Sequence, residues 1–169
     1  MQAEGNERNM SVDDLIVSKT DLKGRITYAN EFFLKISDFS LDEIIGQPHS
    51  IIRSQAMPRC VFKLLWDHLE AGREVFAYVV NKTKTGDHYW VFAHVTPSRD
   101  VAGRTISYHS NRRKPEAKAV GEIKKLYDVL LAEEGRHKNG KKGVAAATSL
   151  LQSALKERGV DYDEFVLAL

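Results

Sequence analysis

The sequence predicts an α+β protein with two strands, a run of short helices, three more strands and three closing helices. Two observations predict this class. Five segments carry the alternation or the β-branched and aromatic enrichment of strands, and turns containing glycine join them into hairpins. Between the second and third strands, and again after residue 114, large apolar residues recur at helical spacing. The predicted order of elements is therefore two strands, three helices, three strands and three helices.

The first part of the chain predicts a hairpin followed by two short helices. Residues 1–13 are largely polar, and we expect this N-terminus to be flexible. Strands at 15–20 and 25–29 flank a turn that contains glycine. Asn30 is a good N-cap for the helix that follows. Ser40 opens a second short helix with a Ser-x-x-Glu capping box.

The middle of the chain predicts a longer helix and a three-stranded meander. The helix runs over 58–71 and begins with a proline, and the strands run over 74–82, 87–97 and 104–111. The central strand alternates well. Its odd-numbered residues from Tyr89 to Val95 face one side, and its even-numbered residues from Trp90 to His94 face the other.

The last part of the chain predicts three helices, over 116–134, over 144–158 and after Asp161, which can cap the final helix. Between the first two, residues 135–143 form a basic segment with glycines that we expect to be a mobile, solvated loop. The apolar stripes of these helices must be buried. They either fold back on the sheet or pair with another chain.

Composition narrows the functional class. Lys plus Arg number 25 and Asp plus Glu 23, a net charge of +2 without the basic excess of a nucleic-acid binder. No apolar run reaches the roughly 18–20 residues of a membrane span, and no secretory signal is visible. We therefore expect a cytoplasmic protein that neither binds nucleic acid nor inserts into a membrane. One cysteine, Cys60, excludes an intramolecular disulfide.

Three motifs carry a family resemblance. They are Gly46-Gln47-Pro48-His49, then Ile52-Arg53 with Met57-Pro58, and then Asn81-Lys82 with Gly86-Asp87-His88-Tyr89-Trp90. With the element order, they resemble the PAS domain, and in particular the FAD-binding PAS sensor of bacterial aerotaxis receptors. The resemblance implies the PAS fold, a five-stranded antiparallel sheet with short helices on one face. It covers 14–113 and leaves 114–169 as a C-terminal helical extension.

The resemblance also implies a function. It predicts a sensory protein that binds FAD non-covalently and reads redox or oxygen status. The signal would pass by conformational change to a partner such as a chemotaxis or kinase component. It further implies a homodimer, because PAS domains often dimerise through helices that flank the sheet. We find no nucleophile elbow, phosphate loop or His-Glu-x-x-His motif, so we predict no enzymatic activity.

A flavin site needs an apolar slot for the ring, polar groups at the ring edge and a cation for the phosphates. Phe62 and Trp66 can supply the slot, and Asn81 can both donate to and accept from the edge of the ring. Arg53 can bind a phosphate through two parallel hydrogen bonds. With the residues that the motifs add, the predicted cofactor-binding residues are Asn30, His49, Arg53, Phe62, Trp66, Asn81 and Trp90.

Several residues favour an alternative, a PAS interaction module that is empty or holds haem or a small metabolite. The chain departs from the family pattern at Ser54, Ala56 and Val75, positions that the resemblance places close to the flavin. His68, on the long helix, is the histidine whose position best suits haem. Cys60 echoes loosely the adduct-forming cysteine of flavin photoreceptors, and a small buried core residue is the simpler interpretation.

Overall fold

The computed structural model describes residues 3 and 5–169, and its sheet has five antiparallel strands. The strand order is β2-β1-β5-β4-β3, so the last strand of the chain lies at the centre of the sheet. The strands are β1 (Leu15–Thr20), β2 (Ile26–Ala29), β3 (Val75–Lys82), β4 (His88–Arg99) and β5 (Thr105–Arg113). This arrangement confirms the predicted α+β class with a five-stranded antiparallel sheet.

The helices fall into two groups. Between β2 and β3 lie α1 (Glu31–Ser37), α2 (Leu41–Ile44), a 3-10 helix (His49–Ile52) and α3 (Arg59–Glu70). After β5 lie α4 (Ala117–Gly135), α5 (Gly140–Arg158) and α6 (Tyr162–Leu167). Within residues 3 and 5–169, no helix has both the length and the apolar character that crossing a bilayer requires.

The longest helix of the first group, α3, turns one face inward. Val61, Leu65 and Leu69 are buried and lie four residues apart, which is the spacing of one helix face. Two residues after its end lies Gly72, whose φ of +73° is the left-handed conformation that favours glycine just after a helix. The inward face of α3 lies against β3 and β4.

The two faces of the sheet have different partners, because side chains alternate along a strand. Ala93 and Val95 of β4 face α3, whereas Trp90 faces α4. The Tyr127 ring of α4 lies 6.1 Å from Trp90, and its hydroxyl donates a 2.6 Å hydrogen bond to the carbonyl of Tyr78. Helices therefore pack on both faces of this sheet.

The C-terminal helices bury their apolar stripes inside the same chain. Their buried residues are Ala119, Val120, Ile123, Tyr127, Leu130, Ala147, Leu151, Leu155, Tyr162 and Val166. The prediction was that they fold back on the sheet or pair with another chain. Helices α4 and α6 do pack on the sheet, whereas α5 packs on α4 and α3. The predicted homodimer stays a prediction, and these stripes no longer argue for it.

The loop predicted at 135–143 is shorter than expected. Helix α5 begins at Gly140, because the Oδ1 atom of Asn139 accepts hydrogen bonds from the backbone of Lys141 and Lys142 at 2.9 and 3.2 Å. Lys141, Lys142 and Gly143 thus belong to the first turn of a helix. Asparagine caps helices well, and this signal outweighs the local glycines.

The segment before β1 runs beside the start of β4. The backbone N–H of Arg8 donates to the carbonyl of His88 at 2.7 Å, and Met10 is buried. The Arg8 guanidinium forks onto Asp38 at 2.7 and 2.6 Å and reaches Asp87 at 3.0 Å. Residues 1, 2 and 4 lie outside the described residues, and the predicted flexibility of 1–13 stays a prediction.

Candidate ligand-binding cavity

A cavity of about 440 Å³ lies between α3, the 3-10 helix and the sheet. That volume is in the range of small-molecule sites, about 300–1,000 Å³. One wall is α3, through Phe62, Leu65, Trp66 and Leu69. The opposite wall is the sheet, through the inward residues of β1, β3, β4 and β5.

Small side chains keep the space open. Ala77 of β3 and Ala93 of β4 are paired across the sheet and both line the cavity. Opposite the sheet wall lie the rings of Phe62 and Trp66, and Trp66 makes an edge-to-face contact with Tyr108 at 5.6 Å. A flat apolar slot results, bounded by aromatic rings on one side and by methyl groups on the other.

A buried arginine forms the polar end of the cavity. Arg112 is 3% exposed, and its Nε atom donates to Ser110 at 3.0 Å. Its Nη2 atom donates to the hydroxyl of Ser18 and, at 2.7 Å, to Nε2 of His49. Burial lowers the pKa of Arg112 to about 10, so the side chain is still a cation at neutral pH.

This cation lacks a carboxylate partner in the cavity wall. Neither Asp nor Glu occurs among the described residues that line the cavity. The Nη1 atom of Arg112 is buried and has no hydrogen-bond partner among those residues. A buried charge is normally paired, because desolvation of an unpaired charge is costly. The cavity therefore suits a guest that carries negative charge or hydrogen-bond acceptors.

His49 is neutral beside this arginine. Burial, and after it the charge of Arg112, lower the pKa of His49 to about 3. Because Arg112 donates to Nε2, the ring proton is carried by Nδ1. His49 thus acts as an acceptor that orients the guanidinium of Arg112.

Asn81 presents a second unpaired donor. It lies on β3, is 3% exposed and lines the cavity. Its side-chain Nδ2 atom is buried and makes no hydrogen bond of good geometry to the described residues, although the Tyr89 hydroxyl on the paired strand is a neighbour with which it interacts. A buried amide that is left without a partner costs free energy unless a guest satisfies it. This orphaned donor points to a ligand with an acceptor at that position.

Arg53 lies at another part of the cavity wall. Its guanidinium sits 4.4 Å from the centre of the Phe62 ring, a cation–π contact. Burial lowers the pKa of Arg53, and the neighbouring charge of Arg59 lowers it further. The two guanidinium groups repel each other, and the carboxylate of Glu134, which raises the pKa of Arg53, offsets part of this repulsion.

Five of the seven predicted site residues come together around the cavity. They are His49, Arg53, Phe62, Trp66 and Asn81. The other two, Asn30 and Trp90, are not among the residues that line it.

Asn30 uses its side chain to hold backbone. Its Oδ1 atom accepts from the N–H groups of Phe33 at 3.1 Å and Val17 at 3.0 Å, and its Nδ2 atom donates to the carbonyl of Leu15 at 2.8 Å. Asn30 therefore caps α1 and ties that helix to β1. Because this role engages the side chain elsewhere, the structure gives no support to the predicted contact of Asn30 with a cofactor, which stays a prediction.

Trp90 lies on the opposite face of the sheet, against Tyr127. The motif that suggested Trp90 is contiguous in sequence, and alternate residues of a strand face opposite ways. Asn81 and Ala93 face the cavity, so Trp90, three residues before Ala93, faces away from it. This orientation does not support the predicted contact of Trp90 with a cofactor, which stays a prediction.

The departures from the family pattern lie outside the cavity wall. Ser54, Ala56 and Val75 are not among its lining residues, and Ala56 lines a separate cavity near Trp90. Cys60 and His68 are also absent from the wall. The side chains at these positions therefore do not form the surface of the main cavity.

Sequence reasoning missed Arg112 and its serine partners. The signal was present in the alternation along β5, where Tyr108, Ser110 and Arg112 fall on one face of a strand. A polar run on a face that ought to be apolar indicates either an exposed face or a polar cavity. The position of β5 at the centre of the sheet selects the second explanation.

Together, the sheet order, the short helices and the cavity beneath α3 define an α+β domain built around a space of the size that small molecules occupy. Residues 13–109 match the family model described as PAS fold. The chain belongs to the PAS family.

Two known proteins are similar to this chain over part of their length. Over 120 residues it is 36% identical to the aerotaxis receptor of Escherichia coli K12, covering 71% of this chain and 24% of the receptor. Over 87 residues it is 32% identical to the biofilm dispersion protein of Pseudomonas aeruginosa, covering 51% of this chain and 21% of that protein. The chain thus matches about a quarter or less of the length of these relatives.

A solved structure from a flavin-analogue study of a light-oxygen-voltage domain has a similar fold. The TM-score is 0.60 at 19% identity, covering 68% of this chain and 87% of that one. At this identity the likeness concerns the fold alone.

Proposed function

We propose that this PAS domain is a sensory module that binds FAD non-covalently in the cavity beneath α3. It reads redox or oxygen status and passes the signal to a partner by conformational change. The observation that carries the proposal is the pair of buried, unpaired donors in the cavity wall, on Arg112 and Asn81. The likeness to a protein named aerotaxis receptor and to a light-oxygen-voltage domain supports a flavin and a signalling role.

The residues fit a flavin. The slot between the rings of α3 and the alanines of the sheet suits a flat aromatic ring system. Arg112 and Asn81 would donate to the acceptor atoms along the polar edge of that ring. Arg53 would hold the phosphates, since one guanidinium group can donate two parallel hydrogen bonds to two oxygens of a phosphate. FAD, when bound, supplies reversible uptake of electrons and protons.

The residues around Arg112 can turn a change of charge into a change of shape. Added negative charge in the cavity attracts the Arg112 guanidinium. That guanidinium also holds Ser18 of β1 and His49 of the 3-10 helix. A shift of Arg112 would therefore alter how the 3-10 helix sits on the sheet, and differential contacts of this kind can bias a two-state element.

The visible absorption spectrum of the purified protein tests the proposal. We expect a flavin spectrum, and we expect acid or heat to release FAD, because binding is non-covalent. Protein purified without cofactor is then offered FAD, FMN and haem separately. Retention of FAD in preference to the other two supports the proposal. A colourless protein that takes up neither flavin, or one that takes up haem alone, contradicts it.

The alternative is an interaction module without flavin. It rested on Ser54, Ala56 and Val75, and these residues lie outside the cavity wall. His49 is the histidine among the described lining residues, and its Nε2 atom accepts from Arg112. Haem ligation through that nitrogen would first have to break this hydrogen bond. The absorption spectrum described above separates these cases.

We further propose that the module acts in the cytoplasm, as a homodimer, and that its partner is a chemotaxis or kinase component. The names of the relatives support a signalling partner, since they include an aerotaxis receptor and a biofilm dispersion protein. Light scattering during size-exclusion chromatography measures the molar mass. A mass of one chain at micromolar concentration contradicts the homodimer and leaves flavin binding untouched.

A further inference from the structure

The first turn of α3 is capped by a residue from a distant helix. Helix α3 begins after Pro58, which supplies no side-chain cap. The Oε1 atom of Glu134, near the end of α4, accepts the backbone N–H of Cys60 at 2.8 Å. The free N–H groups of a first helical turn need acceptors, and a carboxylate there also interacts well with the helix dipole. Glu134 meets both needs.

Helix α5 packs closely against the backbone of Glu134. Gly143 of α5 lies so close to the backbone of Glu134 that a Cβ atom on the glycine would be 2.5 Å from the Glu134 carbonyl oxygen. The end of α4 is therefore fixed between α5 and α3.

The last turn of α3 also meets the C-terminal helices. Asp163 of α6 lies 3.8 Å from Nδ1 of His68, and it accepts the backbone N–H of Phe76 on β3 at 3.4 Å. Thus α4 and α6 contact α3 at opposite ends, while the middle of α3 walls the cavity through Phe62 and Trp66.

We propose that the C-terminal helices hold α3 over the cavity through the bond from Glu134 to the Cys60 N–H, so that filling the cavity and docking α4–α6 stabilise each other. Glu134 is a positioning residue in this scheme, because it acts through α3. If the hydrogen bond to Glu134 stabilises α3 in the position that covers the cavity, it also strengthens the binding of a guest that needs α3 in that position. By linkage, such a guest stabilises the docking of Glu134 on α3 by the same free energy. The proposal rests on the proposed function only in its choice of FAD as the probe.

Hydrogen–deuterium exchange on the cofactor-free protein tests the first half. Glu134→Ala is compared with Glu133→Ala, a matched control whose carboxylate pairs with Arg136 and His137 near its own end of α4. We expect exchange over residues 59–66 to rise about fivefold in Glu134→Ala, the factor for loss of one helix cap. Equal exchange in the two variants overturns the proposal.

FAD binding to the same proteins tests the second half. We expect the dissociation constant, measured by flavin fluorescence, to rise about fivefold in Glu134→Ala and to stay within about twofold in Glu133→Ala. Because Glu134 also acts on the charge of Arg53, Glu134→Gln is the second control: it removes the same charge but keeps an acceptor, so its dissociation constant should rise less than that of Glu134→Ala. FAD should also slow exchange across 130–143 in the wild type. If FAD binds the wild type and Glu134→Ala equally well, the coupling is wrong and the flavin proposal stands.

A wild type that binds no FAD would instead contradict the flavin proposal, and the exchange comparison would still decide whether Glu134 holds α3. Should Glu134→Ala fail to fold, Glu134→Gln replaces it. A neutral amide oxygen accepts more weakly than a carboxylate, so we expect an increase of about twofold in exchange over 59–66. No increase overturns the proposal.

Discussion

At the scale of single residues, the cavity is set apart by polar side chains that the protein itself leaves unpaired. Arg112 and Asn81 each bury a donor nitrogen without an acceptor. Such groups lower the stability of the folded protein unless a guest pairs with them. The residues that weaken the empty domain are therefore those that would select its ligand.

The first prediction concerns Asn81. We expect Asn81→Ala to weaken FAD binding about tenfold, because one buried hydrogen bond to the guest is lost. The control is Asn111→Ala, which also changes a strand asparagine; Asn111 lies on β5, between the inward residues Ser110 and Arg112, and so faces away from the cavity. Flavin fluorescence titration measures both. Equal affinities in the two variants would remove Asn81 from the site.

The second prediction concerns His49. Its pKa of about 3 in the folded protein lies below its ordinary 6.5, so between these values the unfolded chain binds a proton that the folded protein does not. Stability is therefore fully present above pH 6.5 and falls as the pH drops toward 3, by at most about 1.4 kcal/mol per pH unit. His49→Gln keeps an acceptor for Arg112 and lacks this titration.

Urea unfolding of both proteins at several pH values between 7 and 4 checks this prediction. The wild-type free energy of unfolding should fall more steeply with decreasing pH than that of His49→Gln. Parallel curves would mean that His49 is not held neutral by burial.

The third prediction concerns Asp38, whose φ of +61° also suits asparagine. The forked hydrogen bonds from Arg8 hold the pKa of Asp38 below its ordinary 3.8, so the stabilisation is present above that pH and is lost as the pH falls below it. We expect Asp38→Asn to lose about 1 kcal/mol at pH 7. Thermal melts at pH 7 and pH 2.5 measure this, and a loss of equal size at both would contradict it.

At the scale of elements, helix ends were the features best predicted from sequence, because capping is local. Asn30, Ser40 and Asp161 were each assigned to helix starts, and Asp161 accepts the N–H of Glu164 at 2.8 Å. The cap on α3 was not predictable in this way. Its acceptor, Glu134, lies 74 residues away in sequence and reaches Cys60 only through the packing of α4.

The prediction at this scale uses two helical glycines. A Cβ on Gly143 would meet the backbone of Glu134 at 2.5 Å, whereas a Cβ on Gly121 would have no atom within 4 Å. We expect Gly143→Ala to destabilise the protein by about 1–3 kcal/mol through overpacking. Gly121→Ala should stabilise it by about 0.4–1 kcal/mol. Thermal melts in which both variants shift in the same direction would contradict this packing of α5 on α4.

At the scale of the whole molecule, the PAS sheet and the C-terminal helices share one buried interior. Tyr127 and Leu130 of α4 are fully buried. The Tyr127 hydroxyl donates a hydrogen bond to the carbonyl of Tyr78 on β3, and its ring stacks on Trp90 of β4. Removal of α4 would uncover Trp90 and leave the carbonyl of Tyr78 without its hydrogen bond from Tyr127. We therefore expect the sheet and the extension to unfold in one transition.

The two tryptophans test this prediction, because Trp66 lies in the cavity and Trp90 beneath α4. In Trp66→Phe the fluorescence reports on Trp90, and in Trp90→Phe it reports on Trp66. Within each variant, the urea midpoint by fluorescence should equal the midpoint by far-ultraviolet circular dichroism. An earlier fluorescence midpoint in Trp66→Phe would show that α4 detaches before the sheet unfolds.

By itself, the sequence determined the elements, their order, the caps of α1, α2 and α6 and the family to which they belong, because each depends on neighbours a few residues apart. Tertiary structure alone decided that Arg112 is a buried cation, that Trp90 faces away from the cavity and that α4–α6 cover their own chain. Burial and orientation depend on which surfaces meet across the sheet. Contacts between residues dozens of positions apart set those surfaces, whereas the local alternation along a strand records only which residues share a face.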